Sequence, residues 1–217
     1  MLEKISRREE FDLFAAWVVV SLSFAIIKLA PNGFLGTVLP VRPMVALTYL
    51  VIALFTVGIG LVLHELAHKF TAIRYGFWAE FKKSNMMLVT AIVLAAAVGV
   101  VFAAPGATVV YNVRHDGRIL NREEEGKISA AGPVTNLLLC IPFGALILAS
   151  TLYSLPSGSL LYQIGAFGIQ INAMIAAFNM LPIMILDGNK VLSWNIAVFV
   201  LLIAMSFGIL VGSFYLL

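Results

Sequence analysis

The chain has 217 residues, of which 61% are hydrophobic and 12% charged, with a mean hydropathy of +1.01. Soluble domains carry about 25% charged residues, so this composition excludes an ordinary water-soluble fold and fits an integral membrane protein. The net charge of +3 does not signal nucleic acid, because the basic residues are few and flank apolar runs, where they set orientation in the bilayer.

In chain order, residues 14–30 form the first predicted span, stopped by Pro31, Asn32 and Gly33. The preceding MLEKISRREEFD is mixed in charge and the apolar run lacks a small-residue cleavage site, so this helix is expected to remain in the mature protein. Pro43 opens a second span over residues 44–63, which runs directly into His64-Glu65-Leu66-Ala67-His68. A polar stretch follows at 69–85, then an apolar segment at 86–104 that ends at Pro105-Gly106. Residues 109–127 read as a charged loop, 128–153 as a long apolar helix, 155–159 as a turn and 160–181 as another span. Asp187-Gly188 comes next, and a helix over 191–217 completes the chain. The one cysteine, Cys140, lies in an apolar stretch and serves packing. No internal repeat is present. The expected fold is all-α and membrane-integral, a single domain over 1–217 with its core at about 44–190 and flanking helices at 14–30 and 191–217.

The segment at 86–104 decides the topology. A full crossing gives six spans and puts His64 and Asp187 on opposite faces; a re-entrant dip, allowed where backbone is covered by protein or lines a cavity, puts them on one face. Lys and Arg concentrate in short cytoplasmic loops. With a re-entrant segment, Lys4, Arg7, Arg8, Lys69, Arg74, Lys82, Lys83, Arg114, Arg118, Arg122, Lys127 and Lys190 share one side, and only Lys28 and Arg42 lie opposite. A full crossing moves Arg114, Arg118, Arg122 and Lys127 outward and weakens the bias. The reading is therefore five spans plus one re-entrant element, with the N-terminus and the histidine motif cytoplasmic in a multi-pass protein of the cell membrane.

His64 and His68 are four residues apart, so on a helix they share one face and can grip one ion, with Glu65 beside them. Three ionisable side chains in five positions at the end of an apolar helix are costly unless paired or hydrated, which favours a metal over a chance polar helix end. Zinc lowers the pKa of bound water toward 7, and a neighbouring carboxylate can move the proton, so the motif points to metal-assisted amide hydrolysis. A catalytic zinc takes about three protein ligands. Asp187 is the best third, since every other acid lies in a charged stretch or near the N-terminus, although Asp-Gly alone reads as a turn. His115 sits between Arg114 and Asp116 with no partner four residues away and reads as a surface residue.

HELAH at the end of a span, AAGPVTN at 130–136 and FNMLPIMILDG at 178–188 together resemble the site-2 protease family of intramembrane zinc metalloproteases, over residues 57–190. The resemblance implies one zinc ion held by His64, His68 and Asp187, with Glu65 as base, and a membrane-embedded substrate segment as partner. It implies that Asn179 positions substrate or stabilises the oxyanion. Asn172 lies two helical turns earlier on the same face and is a second candidate, although both amides also suit interhelical hydrogen bonding. Residues 105–111 (PGATVVY) resemble the family's short extended segment, which places Pro105, Gly106, Ala107 and Thr108 against an unwound substrate by strand addition; an ordinary loop is the alternative. Asn136 is read as helix packing.

The sequence departs from the family pattern in Ala67 for the commoner glycine, in Ile185 for a frequent proline, and in the apolar insertion at 86–104, which could form part of a gate. No PDZ-like domain fits in the chain. Two other functions use an intramembrane His and Asp set: metal transport, opposed by the scarcity of further polar residues, and a non-proteolytic scaffold, opposed by the intact base.

Overall fold

The computed structural model of the protein describes residues 5–34, 42–101, 105–113, 117–183 and 185–216. His115 lies outside them. Among the described residues, five helical stretches are long and apolar enough to cross a membrane: Arg7–Leu29, Pro43–Arg74, Arg122–Leu152, Leu160–Asn179 and Ile196–Tyr215. The protein is thus an all-α, multi-pass membrane protein with one small two-stranded sheet.

The chain divides into two compact units, Met1–Val62 with Phe81–Ala107, and Leu63–Glu80 with Thr108–Leu217. In the first unit, α1 (Arg7–Leu29) starts seven residues before the apolar run, because Ser6 caps it by accepting from the Glu9 amide. The stretch of mixed charge before the apolar run is therefore helix from Arg7 on, and it buries Glu9 and Asp12. Glu9 Oε1 accepts from the amide of Phe81 at 3.0 Å, and Lys83 Nζ lies 3.7 Å from Asp12 Oδ1. After α2 (Pro43–Ala53), a π-helical turn over Leu54–Gly58 widens the helix. The backbone carbonyls there find side-chain donors: Trp17 Nε1 donates to Leu54 O at 2.9 Å and Ser21 Oγ to Ala53 O at 3.3 Å.

The apolar insertion forms α4 (Asn85–Val98), capped by Ser84 and ended by Gly99 in the left-handed conformation (φ 73°) that glycine alone adopts freely. Its 14 residues reach about 21 Å, short of the roughly 30 Å of a hydrocarbon core, so this helix by itself is no span. The polar stretch before it holds a strand the sequence reading lacked, β1 (Ala79–Lys83), which pairs with β2 (Gly106–Val110). Ser84 N donates to Pro105 O and Tyr111 N to Trp78 O, both at 2.9 Å, which fixes an antiparallel register. Odd-numbered residues from Pro105 to Tyr111 turn their backbone groups toward β1. The even-numbered ones face the other edge.

The second unit takes up the helix as α3 (Ile59–Arg74) from Leu63 onward. Helix α5 (Arg122–Leu152) begins within the stretch read as a loop, because Asn121 and Glu124 form a reciprocal capping box. It packs along α6 (Leu160–Asn179). The final helix is two: α7 (Asp187–Trp194) breaks at extended Asn195, whose side chain accepts from the amides of Ala197 and Val198 to start α8 (Ile196–Leu216). Two apolar clusters hold the unit. Ala130, Leu137, Ala176, Met180, Val191 and Leu202 form one, and Ala72, Phe77, Ala79 and Ile128 the other.

Candidate metal centre

His64 and His68 fall on one face of α3 through their four-residue spacing, and the second unit buries both, at 3% and 8% exposure. Their Nε2 atoms stand 3.0 Å apart. Asp187, first residue of α7, brings Oδ2 to 3.4 Å from His64 Nε2 and 3.2 Å from His68 Nε2. The Asp-Gly pair is thus a helix start and not a turn. Gly188 is needed for another reason: a Cβ there would sit 2.2 Å from Met180 O, so only glycine lets the start of α7 approach the end of α6.

The other ring nitrogens are fixed by acceptors. His68 Nδ1 lies 2.8 Å from Ile128 O, a carbonyl that can only accept, so Nδ1 carries the proton. For His64 the same result follows through a longer line. Asn172 Nδ2 donates to Gly168 O at 2.9 Å, which turns Asn172 Oδ1 toward Asn136 Nδ2 at 2.8 Å and leaves Asn136 Oδ1 to accept from His64 Nδ1 at 2.6 Å. A neutral imidazole with its proton on Nδ1 presents a lone pair at Nε2, so in the neutral form both rings turn an acceptor toward Asp187. Two lone pairs and a carboxylate oxygen that converge within 3.4 Å repel one another unless a cation lies among them. Ligands about 2.0–2.1 Å from a tetrahedral zinc are separated by roughly 3.3 Å, so the observed spacings fit that ion. Gly132 leaves the room: a Cβ there would fall 2.4 Å from His68 Nε2 and 2.6 Å from His64 Nε2. His64, His68 and Asp187 can hold a metal ion.

Glu65 is buried, and its Oε2 accepts from the amide of Thr108 at 2.9 Å and from its hydroxyl at 2.8 Å. Thr108 is thus brought to the motif, within the second unit. Pro105, Gly106 and Ala107 belong to the first unit, where Pro105 O accepts from Ser84. Of the two roles open to Asn172, substrate contact and interhelical hydrogen bonding, the hydrogen bonds seen are of the second kind. It is fully buried, its Oδ1 accepts from Asn136, and its Nδ2 donates to Gly168, so it supports His64 indirectly. Asn179 Nδ2 donates to Ile175 O inside its own helix at 3.0 Å.

The sequence reading gave Asn136 to helix packing and passed over Gly132 and the Ile128 carbonyl, whereas Asn136 is the acceptor of His64. A signal existed for Asn136 and Gly132: they lie four residues apart in AAGPVTN, the same spacing as the two histidines, so each pair forms one helix face.

No protein-family model matches the chain, and no solved structure matches it. It is 37% identical over 192 residues, 88% of this chain and 87% of the relative, to a protein of Methanocaldococcus jannaschii named "Putative zinc metalloprotease MJ0611". With identity of that order along nearly the full length of both chains, and with a His64, His68 and Asp187 cluster fit for zinc, this membrane protein belongs to that family of zinc metalloproteases.

Proposed function

We propose that the protein is an intramembrane zinc endopeptidase of the site-2 protease type, which hydrolyses peptide bonds in or near transmembrane segments of other membrane proteins. The observation that carries this reading is the place of the metal centre: His64, Glu65 and His68 lie on a continuous 32-residue helix, Pro43–Arg74, long and apolar enough to span a bilayer. A buried protease site on such a helix suits substrates that lie in the membrane. The positive-inside count supports a site toward the cytoplasmic side of the cell membrane, with the short α4 as the re-entrant element.

Zinc held by His64, His68 and Asp187 would supply Lewis acidity, polarising a carbonyl and making water a nucleophile near neutral pH. The protein's own groups do the rest. Asn136 and Ile128 keep the two imidazoles in one tautomer and orientation. Glu65 takes the proton from the attacking water and delivers it to the leaving amine. The edge of β2 that faces away from β1 offers backbone groups to a substrate segment that has unwound from helix. Asn179 can serve the developing oxyanion once its Nδ2 leaves Ile175 O, and Asn179→Ala is then expected to lower kcat with little change in KM.

The deciding experiment is Glu65→Gln in purified protein reconstituted with a single-span substrate. Cleavage should fall by about 10²–10⁴ while bound zinc is retained. Undiminished cleavage would rule this chemistry out, and zinc flux into vesicles that survives the substitution would point to transport.

A further inference from the structure

We infer that Thr108 is a positioning residue that holds Glu65 out of the reaction until an extended substrate segment adds to the edge of β2. The inference rests on the peptidase reading above. Thr108 meets Glu65 at three points: its amide and its hydroxyl both reach Oε2, at 2.9 and 2.8 Å, and the hydroxyl also lies 3.1 Å from the Glu65 main-chain oxygen. A hydroxyl has one hydrogen, so it serves one of these acceptors at a time, whereas the amide is committed to the carboxylate.

The register of the sheet makes that amide important. Tyr111 donates to Trp78, so the groups of odd-numbered residues face β1, and the N–H of Thr108 belongs to the opposite edge. A strand that adds to this edge needs that same N–H for one of its carbonyls. The donor has one hydrogen and two claimants. At rest Glu65 holds it; with substrate in place the substrate carbonyl takes it, and the carboxylate is freed to turn to its work. A substrate segment that remains helical has its carbonyls committed to its own backbone and cannot displace Glu65. Strand addition and release of the base thereby become one event, and the enzyme acts only on unwound segments.

The test compares two variants that both lack the base, as zinc-loaded full-length protein in lipid nanodiscs with a labelled single-span peptide. Glu65→Gln keeps an oxygen for the Thr108 amide and Glu65→Ala removes it, so the peptide should bind Glu65→Ala about fivefold tighter, the worth of one hydrogen bond. Hydrogen exchange adds a readout independent of binding. The Thr108 amide should exchange faster in Glu65→Ala than in wild type and slow again with peptide, while Tyr111, bonded to Trp78, stays constant. Thr108→Val, which keeps the amide and loses the hydroxyl, should lower KM, and Thr108→Ser, which keeps the hydroxyl, should restore the higher KM. Equal peptide affinity in the two Glu65 variants, unchanged Thr108 exchange, or a raised KM in Thr108→Val would each overturn the inference. If wild type cleaves the peptide and these differences are missing, only the role of Thr108 fails; if wild type cleaves no single-span peptide, the peptidase reading beneath it fails.

Discussion

Both compact units bury ionisable groups, and they do so in opposite ways. In the first, Glu9 accepts from the amide of Phe81 and Asp12 faces Lys83, so every negative oxygen named meets a donor or a cation. In the second, His64, His68 and Asp187 in their metal-binding form, with both rings neutral, turn lone pairs toward one another, while the ring donors point outward to Asn136 and Ile128. Burial of charge costs several kcal/mol unless it is compensated. The first cluster compensates internally and needs nothing more. The second is left with a surplus of acceptors, which is the mark of a site built for a cation. Buried polarity alone does not separate a structural cluster from a functional one; the balance of donors and acceptors within it does.

The largest test of this contrast is Gly132→Ala. A methyl group there meets both imidazoles, and zinc affinity should fall by at least about 100-fold while the helices still form, as read by metal stoichiometry and circular dichroism. Zinc binding at wild-type strength would show that the three acceptors are not the metal's ligands. Next is Asn136→Ala, which strips the acceptor from His64 Nδ1 and takes the Asn136 donor from Asn172 Oδ1; zinc affinity should drop about 10–100-fold, with the ligands themselves untouched. The smallest effect on the centre belongs to the first unit. Glu9→Ala leaves the buried Phe81 amide without this acceptor and should destabilise the protein by about 1–3 kcal/mol, measured by thermal unfolding in detergent. Its zinc content should equal that of wild type, and a loss of zinc would mean that the two clusters do not act separately.

The features legible in the sequence are those that local geometry dictates. His64 and His68 share a face because a helix repeats every 3.6 residues, and Asp187 stood out because it alone followed a span without charged neighbours. Charge placement led to a re-entrant reading of residues 86–104, and the helix found there has 14 residues. Features that depend on distant partners were not legible. Asn136 reaches His64 across 72 positions, and Gly188 matters only because Met180 O lies against it. Glu9 and Asp12 showed only as acids in a stretch of mixed charge, because the Phe81 amide and Lys83 that compensate them come some 70 residues later. The break at Asn195 was hidden within apolar sequence on both sides, since one side-chain cap decides it.

The length of α4 has a practical consequence for anyone who assays this protein. Met86, Val89, Val93 and Val98 are all more than half exposed on a helix of about 21 Å, so acyl chains, wherever they lie beside it, would meet an apolar surface shorter than themselves. Lipid adapts to such a mismatch by thinning, at fractions of a kcal/mol for each ångström. Acyl-chain length is therefore an experimental variable of the same standing as salt or temperature. Rates measured in short-chain detergent and in thick bilayers should not be pooled.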